Sequence, residues 1–345
     1  MFAPMRHFAC LDTDSRTTRK HAPPVHMDLL SRLLSLIPVT GRLELRCLFG
    51  APWKIDQAVS GVREIPYHVL LSGHAVLEDV NGPPERLTAG DIILFPAGNA
   101  HLIHDGSGET ARPETKSRQA SLIVFENDGK GEKADFLCGR FLLGAVPDRL
   151  LRDHLPGRLV VHSALPEPGG DVEGSARSIV RTRLRQLIEL MHEEANDPGP
   201  GSEMFVNHLS AALFALTLRF ATEGTQPPHG LLALSRRPRL QPAISAMFET
   251  PGEPWTLDQL SGLCNMSRAT FIRQFQEAIG RSASDVLTEV RMTIAGRMLL
   301  HTAAPIAEIG EAVGYQSTAA FQRVFKRHIG VSPARWRSSG GNLEA

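Results

Sequence analysis

Several features that would define a function class are scarce or absent in this sequence. Its 345 residues contain four cysteines and no C-x-x-C pair, which excludes a disulfide scaffold and a zinc finger. No run approaches the roughly 18 apolar residues of a membrane span. Charges are spread over residues 1–26, so we expect no signal peptide there. A cytoplasmic protein is the expectation.

Net charge is also absent, because 37 Lys and Arg residues balance 37 Asp and Glu residues. A uniformly basic coat for nucleic acid is therefore excluded, but a local basic face is not. The charge is uneven: from Arg236 onward 13 basic residues stand against 9 acidic ones. A modestly basic C-terminal part thus follows an acidic N-terminal part.

The N-terminal half changes from helical to strand-like patterning. Residues 1–26 are polar and are interpreted as a disordered tail, or as an early start with Met27 the true one. A short helix from Met27 ends at Pro38. Short Val-, Ile- and Leu-rich runs follow up to residue 165 at spacings of about 10 residues, with a polar loop at 105–119. They predict an antiparallel sandwich or barrel.

Two helices and a linker separate this region from the C-terminal part. Residues 174–221 carry two helical apolar patterns, the second with Phe205, Leu209, Leu213, Leu216 and Phe220 on one stripe. The stripe packs either on its own domain or in a homodimer. Residues 222–237 are a predicted linker. Residues 238–338 form a predicted all-α domain, and residues 339–345 are a tail.

Two segments of the all-α domain share one pattern, at 255–280 and 305–330. Each has a short apolar helix, a tight turn, and a second helix opening with serine. The turn needs a positive φ, which Asn265 and Gly314 tolerate. Ser267 and Ser317 can cap the second helices. Two helix-turn-helix units, joined by one long helix over 283–301, are therefore predicted.

The second helix of each unit carries a Phe-x3-Phe pair, which we expect to face the core. The intervening positions then face outward and are candidates for DNA contact. Arg and Gln suit guanine and adenine edges, which makes Arg273 and Gln322 the preferred base readers. The full candidate DNA-binding set is Ser267, Arg268, Ala269, Thr270, Arg273, Ser317, Thr318, Ala319, Gln322, Arg323, Lys326 and Arg327.

Residues 238–337 resemble the DNA-binding domain of AraC-family bacterial transcription regulators. The resemblance rests on the 255–280 unit, on Arg291 and Ala295, and on the run IAEIGEAVGYQSTAAFQRVFKRHIGVSPARWR. It implies that the outward faces of both second helices read bases and phosphates. Gly262 and Gly310 depart from the family, which usually has larger or Ala-type residues there.

The N-terminal region is similar to cupins and to the AraC subgroup with a cupin sensor. GDIILFPAGNAHLIHD, from Gly90 to Asp105, matches the second cupin motif, whereas the first motif is degraded. His68, His101 and His104 are candidate metal ligands, because imidazole suits Zn, Fe, Cu and Ni. The alternative is barrel-lining or surface histidines. His101 and His104 would face opposite sides of a plain strand.

Cys47 and Cys138 match a pattern in that subgroup, which implies oxidant-sensing thiols. From the residues alone, buried cysteines on apolar strands are usually inert. Both interpretations stay open.

The predicted fold class is α+β multidomain: an antiparallel, cupin-like β-barrel with a helical pair, then the all-α domain. The predicted function is a sequence-specific transcription regulator of double-stranded DNA that senses a small molecule, metal or oxidant. A homodimer, and RNA polymerase contact in an activator, are the other expected partners; no membrane is expected. A metal-dependent cupin enzyme is the alternative, which the incomplete first motif disfavours.

Overall fold

The computed structural model describes residues 27–119, 122–145, 147, 149–163, 175–223 and 230–341. The predicted tail at 1–26 lies outside them, as do residues 224–229 of the predicted linker and 342–345 of the predicted C-terminal tail. In the described part, eleven strands precede a largely helical C-terminal half.

A short helix opens the described chain, as predicted. Helix α1 spans Leu29–Leu36, and the Asp28 carboxylate caps it by accepting from Ser31 N at 3.0 Å. Leu29 and Leu33 face the core. The ten strands that follow are β1 Val39–Gly50, β2 Lys54–Gln57, β3 Glu64–Ser72, β4 His74–Asp79, β5 Gly82–Thr88, β6 Asp91–Leu94, β7 His101–His104, β8 Glu114–Gln119, β9 Leu122–Asn127 and β10 Lys133–Leu143.

The strands form two open sheets, so the predicted barrel is not closed. The larger sheet has the order β11-β6-β3-β10-β1-β9-β8, in which β11 is Leu159–His162, and the smaller has the order β2-β7-β4-β5. One pairing is parallel, between β1 and β9, where an all-antiparallel arrangement was expected. The predicted polar loop at 105–119 contains β8, a fully exposed edge strand.

A separate apolar core lies between the two sheets. It includes Phe136 and Cys138 of the larger sheet and Leu77, Leu87 and Ile103 of the smaller one. Inward and outward residues alternate along the strands, as the pleat requires. This core positions the candidate histidines and cysteines.

Two helices cover the larger sheet. Helix α3 spans Ala176–Asn196 and α4 spans Ser202–Glu223, close to the predicted pair at 174–221. A short helix, α2 at Arg149–Arg152, precedes β11. Gly41 permits α4 to lie on β1, since a Cβ there would meet Ser210 Cβ at 2.3 Å. The predicted stripe is correct in part: Leu213 and Phe220 are buried, Leu209 and Leu216 are half-buried, and Phe205 is 45% exposed.

Helix α4 satisfies, by length and composition, the criteria for a membrane-crossing helix, with 39% of its most apolar window buried. Core helices of soluble proteins share this length and composition.

The C-terminal half is helical, as predicted. After two short 3-10 turns at Leu231–Arg236 and Pro238–Leu240, its helices are α5 Gln241–Glu249, α6 Leu257–Leu263, α7 Arg268–Ile279, α8 Ala283–His301, α9 Ile306–Ala312, α10 Thr318–Ile329 and α11 Pro333–Ser338. No strand occurs among the described residues after His162.

Candidate nucleic-acid interface

The first candidate unit consists of α6, a tight turn and α7. A capping box begins α6, with Thr256 and Gln259 bonding each other's backbone N–H groups. In the turn, Asn265 has φ 51°, the left-handed conformation that the sequence predicts there. Ser267 Oγ then accepts from Thr270 N at 3.3 Å and caps α7, also as predicted.

The second unit, α9 to α10, repeats this geometry. Gly314 has φ 87° in the turn, and Ser317 Oγ accepts from Ala320 N at 3.4 Å. Helix α10 ends at Ile329, and Gly330, with φ 92°, caps its C-terminus in the left-handed conformation. Both turns thus have the positive φ that their residues predict.

Phenylalanine pairs fix the rotation of α7 and α10. Phe271 and Phe275 are buried with ring centroids 5.4 Å apart, and Phe321 and Phe325 are buried at 5.7 Å. Because the two pairs have the same spacing, the outward positions of the two helices correspond one to one. The phenylalanine pairs face the core, as the sequence predicts.

The candidate DNA-binding residues lie at the N-terminal ends and on the outward faces of these helices. All except Thr270, which is half-buried, are exposed. Arg268 lies 3.6 Å from Asp258, and Arg273 lies 3.9 Å from Glu277. Such exposed ion pairs contribute little and are easily exchanged for other partners.

Three exposed residues of α7 are absent from the sequence-based set, namely Ile272, Gln276 and Glu277. The Phe-x3-Phe spacing could have identified them, because they lie one, three and four residues from Arg273 on the same helix. Gln276 Nε2 donates to Gly280 O at 2.8 Å, so this amide is engaged at the end of its own helix.

Helix α8 separates the two units. Its 19 residues span about 28 Å at 1.5 Å per residue. Arg291 on α8 donates to Pro251 O at 2.7 Å and to Glu253 O at 2.8 Å, and its guanidinium lies 5.8 Å from the Tyr315 ring centroid. This arginine therefore ties the approach to α6 to the turn after α9. Burial lowers the pKa of Arg291.

Residues of the N-terminal region also contact α8. Glu289 is 3% exposed and lies 3.0 Å from His154 Nε2, and it pairs with Arg281. Gly296 has no room for a side chain, since a Cβ would meet Pro147 Cδ at 2.4 Å. The helix joining the two candidate units is thus packed against the β-rich region.

The candidate metal ligands do not form one group. His68 Nε2 lies 2.8 Å from His101 Nε2, whereas His104 lies beside Glu78 at 3.5 Å. His101 is buried and its ring stacks on Phe95, with centroids 3.6 Å apart. The alternation along β7 separates His101 from His104, which is the reason the three-histidine set fails.

The nitrogens of His68 are both engaged. Its Nδ1 lies 3.0 Å from Cys138 Sγ, and its Nε2 faces His101 Nε2. The residues described here contain no group of three His, Cys, Asp or Glu side chains able to hold a metal ion. Burial and the neighbouring His101 hold the pKa of His68 well below its usual value, and burial lowers that of His101.

The two candidate redox cysteines are neighbours. Cys47 on β1 and Cys138 on β10 are each 3% exposed and belong to the same apolar core between the sheets. Interaction with the Cys47 side chain, and then burial, raise the pKa of the Cys138 thiol well above its usual value. A resting thiolate, the reactive form, is therefore disfavoured at Cys138.

Comparisons with known proteins agree with this two-part architecture. A family model described as Cupin matches residues 28–223, and one described as Helix-turn-helix domain matches residues 260–339. An uncharacterized HTH-type transcriptional regulator of Haemophilus influenzae is 30% identical, over 91% of this chain and 99% of that protein.

Two further relatives carry descriptive names. The RCS-specific HTH-type transcriptional activator RclR of Escherichia coli is 27% identical, over 90% of this chain and 97% of that protein. The HTH-type transcriptional regulator MtrA of Neisseria gonorrhoeae is 28% identical, over 91% and 99%. The fold and these matches define a DNA-binding transcription regulator with a cupin β domain. The chain belongs to the AraC-type regulators that carry an N-terminal cupin domain.

Proposed function

We propose that the chain recognises a specific double-stranded DNA sequence by placing α7 and α10 in successive major grooves. The observation that carries this proposal is the pair of exposed, serine-capped helices separated by a helix of about 28 Å. With its flanking turns, that separation approaches one turn of DNA, about 34 Å. The N-termini of α7 and α10 add partial positive charge suited to phosphate.

In this proposal, Arg273 and Gln322 read base edges, and Arg323, Lys326 and Arg327 bind the backbone. Arg273→Ala should cost about 1–3 kcal/mol on the selected site and little on random duplex, measured by fluorescence anisotropy. Arg185→Ala, on an exposed face of α3, is the matched control and should change neither. An equal loss of affinity on both duplexes would exclude base reading by Arg273.

The cupin domain is proposed as the sensor of a small molecule, a metal or an oxidant. The shared position of Cys47 and Cys138 in the core between the sheets makes them the candidate thiols for the oxidant case. In that case oxidant changes DNA binding, and Cys47→Ala or Cys138→Ala abolishes the change. Cys264→Ala, a buried cysteine of the helical domain, should leave the response intact. An unchanged response in both sensor variants would eliminate the thiol switch.

The helical pair α3 and α4 is proposed to dimerise the chain. Its exposed apolar residues support this, with Ile179 and Leu190 each 44% exposed and Met204 62% exposed. Leu190→Asp should convert a dimer into a monomer in analytical ultracentrifugation, whereas Arg185→Asp should not. A wild-type monomer at all concentrations would contradict dimerisation.

The proposed division of the chain follows the predicted boundaries: sensor 27–165, dimerisation pair 174–221, linker 222–237 and DNA-binding domain 238–338. We further propose that it works in the cytoplasm and, as an activator, contacts RNA polymerase. Reporter transcription in a strain lacking the gene should fall, and a rise would indicate a repressor.

A further inference from the structure

The outward faces of α7 and α10 can be compared position by position. The buried pairs Phe271/Phe275 and Phe321/Phe325 set the same register in both helices. Four exposed positions then correspond: Ile272 with Gln322, Arg273 with Arg323, Gln276 with Lys326, and Glu277 with Arg327.

These four positions differ in charge between the two helices. On α7 they carry one cation, Arg273, and one anion, Glu277, which lie 3.9 Å apart. On α10 they carry three cations and no anion. Among the residues that the structure describes, these α10 cations have no acidic partner, so their charge is fully available to DNA phosphates.

Phosphate neutralisation supplies the sequence-independent part of affinity and its salt dependence. The three cations of α10 suit that role. On α7 the Glu277 carboxylate repels phosphate and offsets the charge of Arg273. With Arg268 on its first turn, α7 carries two exposed cations and one exposed anion, so it gains less from non-specific contact than α10 and depends more on the bases that it meets.

Ile272 adds an apolar group to the outward face of α7. It is 44% exposed, although it sits on a helix whose other face buries two phenylalanines. The apolar group that a base edge presents in the major groove is the thymine C5-methyl. An exposed isoleucine beside Arg273 has the chemistry to contact that methyl group.

We propose that the two recognition helices contribute unequally: α10 supplies most of the phosphate affinity, and α7 adds to the base reading by Arg273 and Gln322 through Ile272, which reads a thymine methyl. The inference rests on the proposed DNA-binding function and names residues that determine its specificity.

The thymine contact is tested with a duplex selected from a random library by the full chain. Each thymine of that duplex is replaced in turn by uracil, which lacks only the methyl group. Burial of one methyl corresponds to about 0.8 kcal/mol, so one replacement should weaken wild-type binding about fourfold. Ile272→Ala should bind more weakly and should show no further loss at that position.

Leu263→Ala is the matched control, since Leu263 is 41% exposed in the same domain but lies on α6. It should retain the fourfold uracil effect. No sensitive thymine in the wild type, or an equal effect in wild type and Ile272→Ala, overturns the role of Ile272.

The division of labour is tested by charge changes in corresponding positions. Lys326→Gln and Arg327→Gln should weaken binding to selected and random duplex alike, and each should lower the slope of log K against log salt by about 0.9. Glu277→Gln should strengthen binding to random duplex and reduce the ratio of selected to random affinity. A fall in that ratio for the α10 variants, with none for Glu277→Gln, contradicts the proposal.

The selection step separates the two levels of failure. If the full chain enriches no sequence, both the proposed function and this inference fail. If it enriches a sequence whose binding is indifferent to Ile272 and Glu277, the proposed function stands and this inference alone is wrong.

Discussion

Gly310→Ala and Gly262→Ala form a matched pair that tests how closely the helices of the second unit pack. Alanine in place of glycine favours a helix by up to about 1 kcal/mol. At Gly262 an added Cβ meets nothing within 4 Å, so α6 should gain this stabilisation. At Gly310 the Cβ would lie 3.1 Å from Phe321 Cγ and Cδ1.

The Gly310 distances fall short of the optimal carbon–carbon separation of about 3.5–4.0 Å. Phe321 is fully buried and cannot withdraw freely. Overpacking of this kind costs about 1–3 kcal/mol, which cancels or exceeds the helical gain. Gly262→Ala should thus be the more stable variant by about 1–3 kcal/mol.

Amide hydrogen exchange is the suitable assay, because a chain of two domains need not unfold in one step. Protection of α6 peptides should rise in Gly262→Ala, and protection of α9 and α10 peptides should fall or stay level in Gly310→Ala. Increased protection of α9 and α10 in Gly310→Ala would refute the packing argument.

Three further substitutions have directions that the structure defines. Asn265→Ala should destabilise the first unit by about 1 kcal/mol, since alanine tolerates φ 51° poorly, while Asn265→Gly should not. Amide hydrogen exchange in α6 and α7 measures both variants, and equal exchange rates in the two would contradict the argument from backbone strain. Arg291→Ala should cost about 2 kcal/mol through its lost bonds to Pro251 O and Glu253 O, with faster exchange at 251–255; unchanged exchange would be the contrary result. Hydrogen bonds to Asp91 and then Glu85 raise the pKa of His162 to about 10. The stability that protonated His162 contributes to the fold is therefore complete below its unfolded-state pKa near 6.5 and is lost as pH rises towards 10. Thermal melts from pH 6 to 10 should show this loss in the wild type and a flatter profile in His162→Gln.

The helical units could be predicted from sequence because their signals are local. Serine caps, a residue that tolerates positive φ and a Phe-x3-Phe spacing all lie within about 20 residues, and each defines one feature of the unit. The structure reproduces the caps at Ser267 and Ser317 and the turns at Asn265 and Gly314. Nothing distant is needed to interpret them.

The β-rich region was less predictable because its pairings are non-local. Strand β5 contains two prolines, and β8 is entirely exposed, so neither has the alternating pattern of a half-buried strand. Their partners, β4 and β9, fix them instead. The parallel pairing of β1 with β9 likewise depends on chain path rather than composition.

The candidate sensor residues illustrate the same limit. The sequence grouped His104 with His68 and His101 by motif, but strand alternation places His104 elsewhere. The contacts of His68 with His101 and Cys138 join β3, β7 and β10, which are far apart in sequence. Because β3 and β10 pair in the larger sheet and β7 belongs to the smaller one, this cluster depends on how the two sheets face each other.

Guanine methylation interference on the selected duplex probes the placement of α7 and α10, because N7 methylation blocks contacts in the major groove. We expect two clusters of interfering guanines per bound subunit, about 10 base pairs apart on one face of the DNA helix. Arg273→Ala should remove interference from one cluster only. A single cluster, or two clusters on opposite faces of the duplex, would contradict the placement of α7 and α10 in successive major grooves.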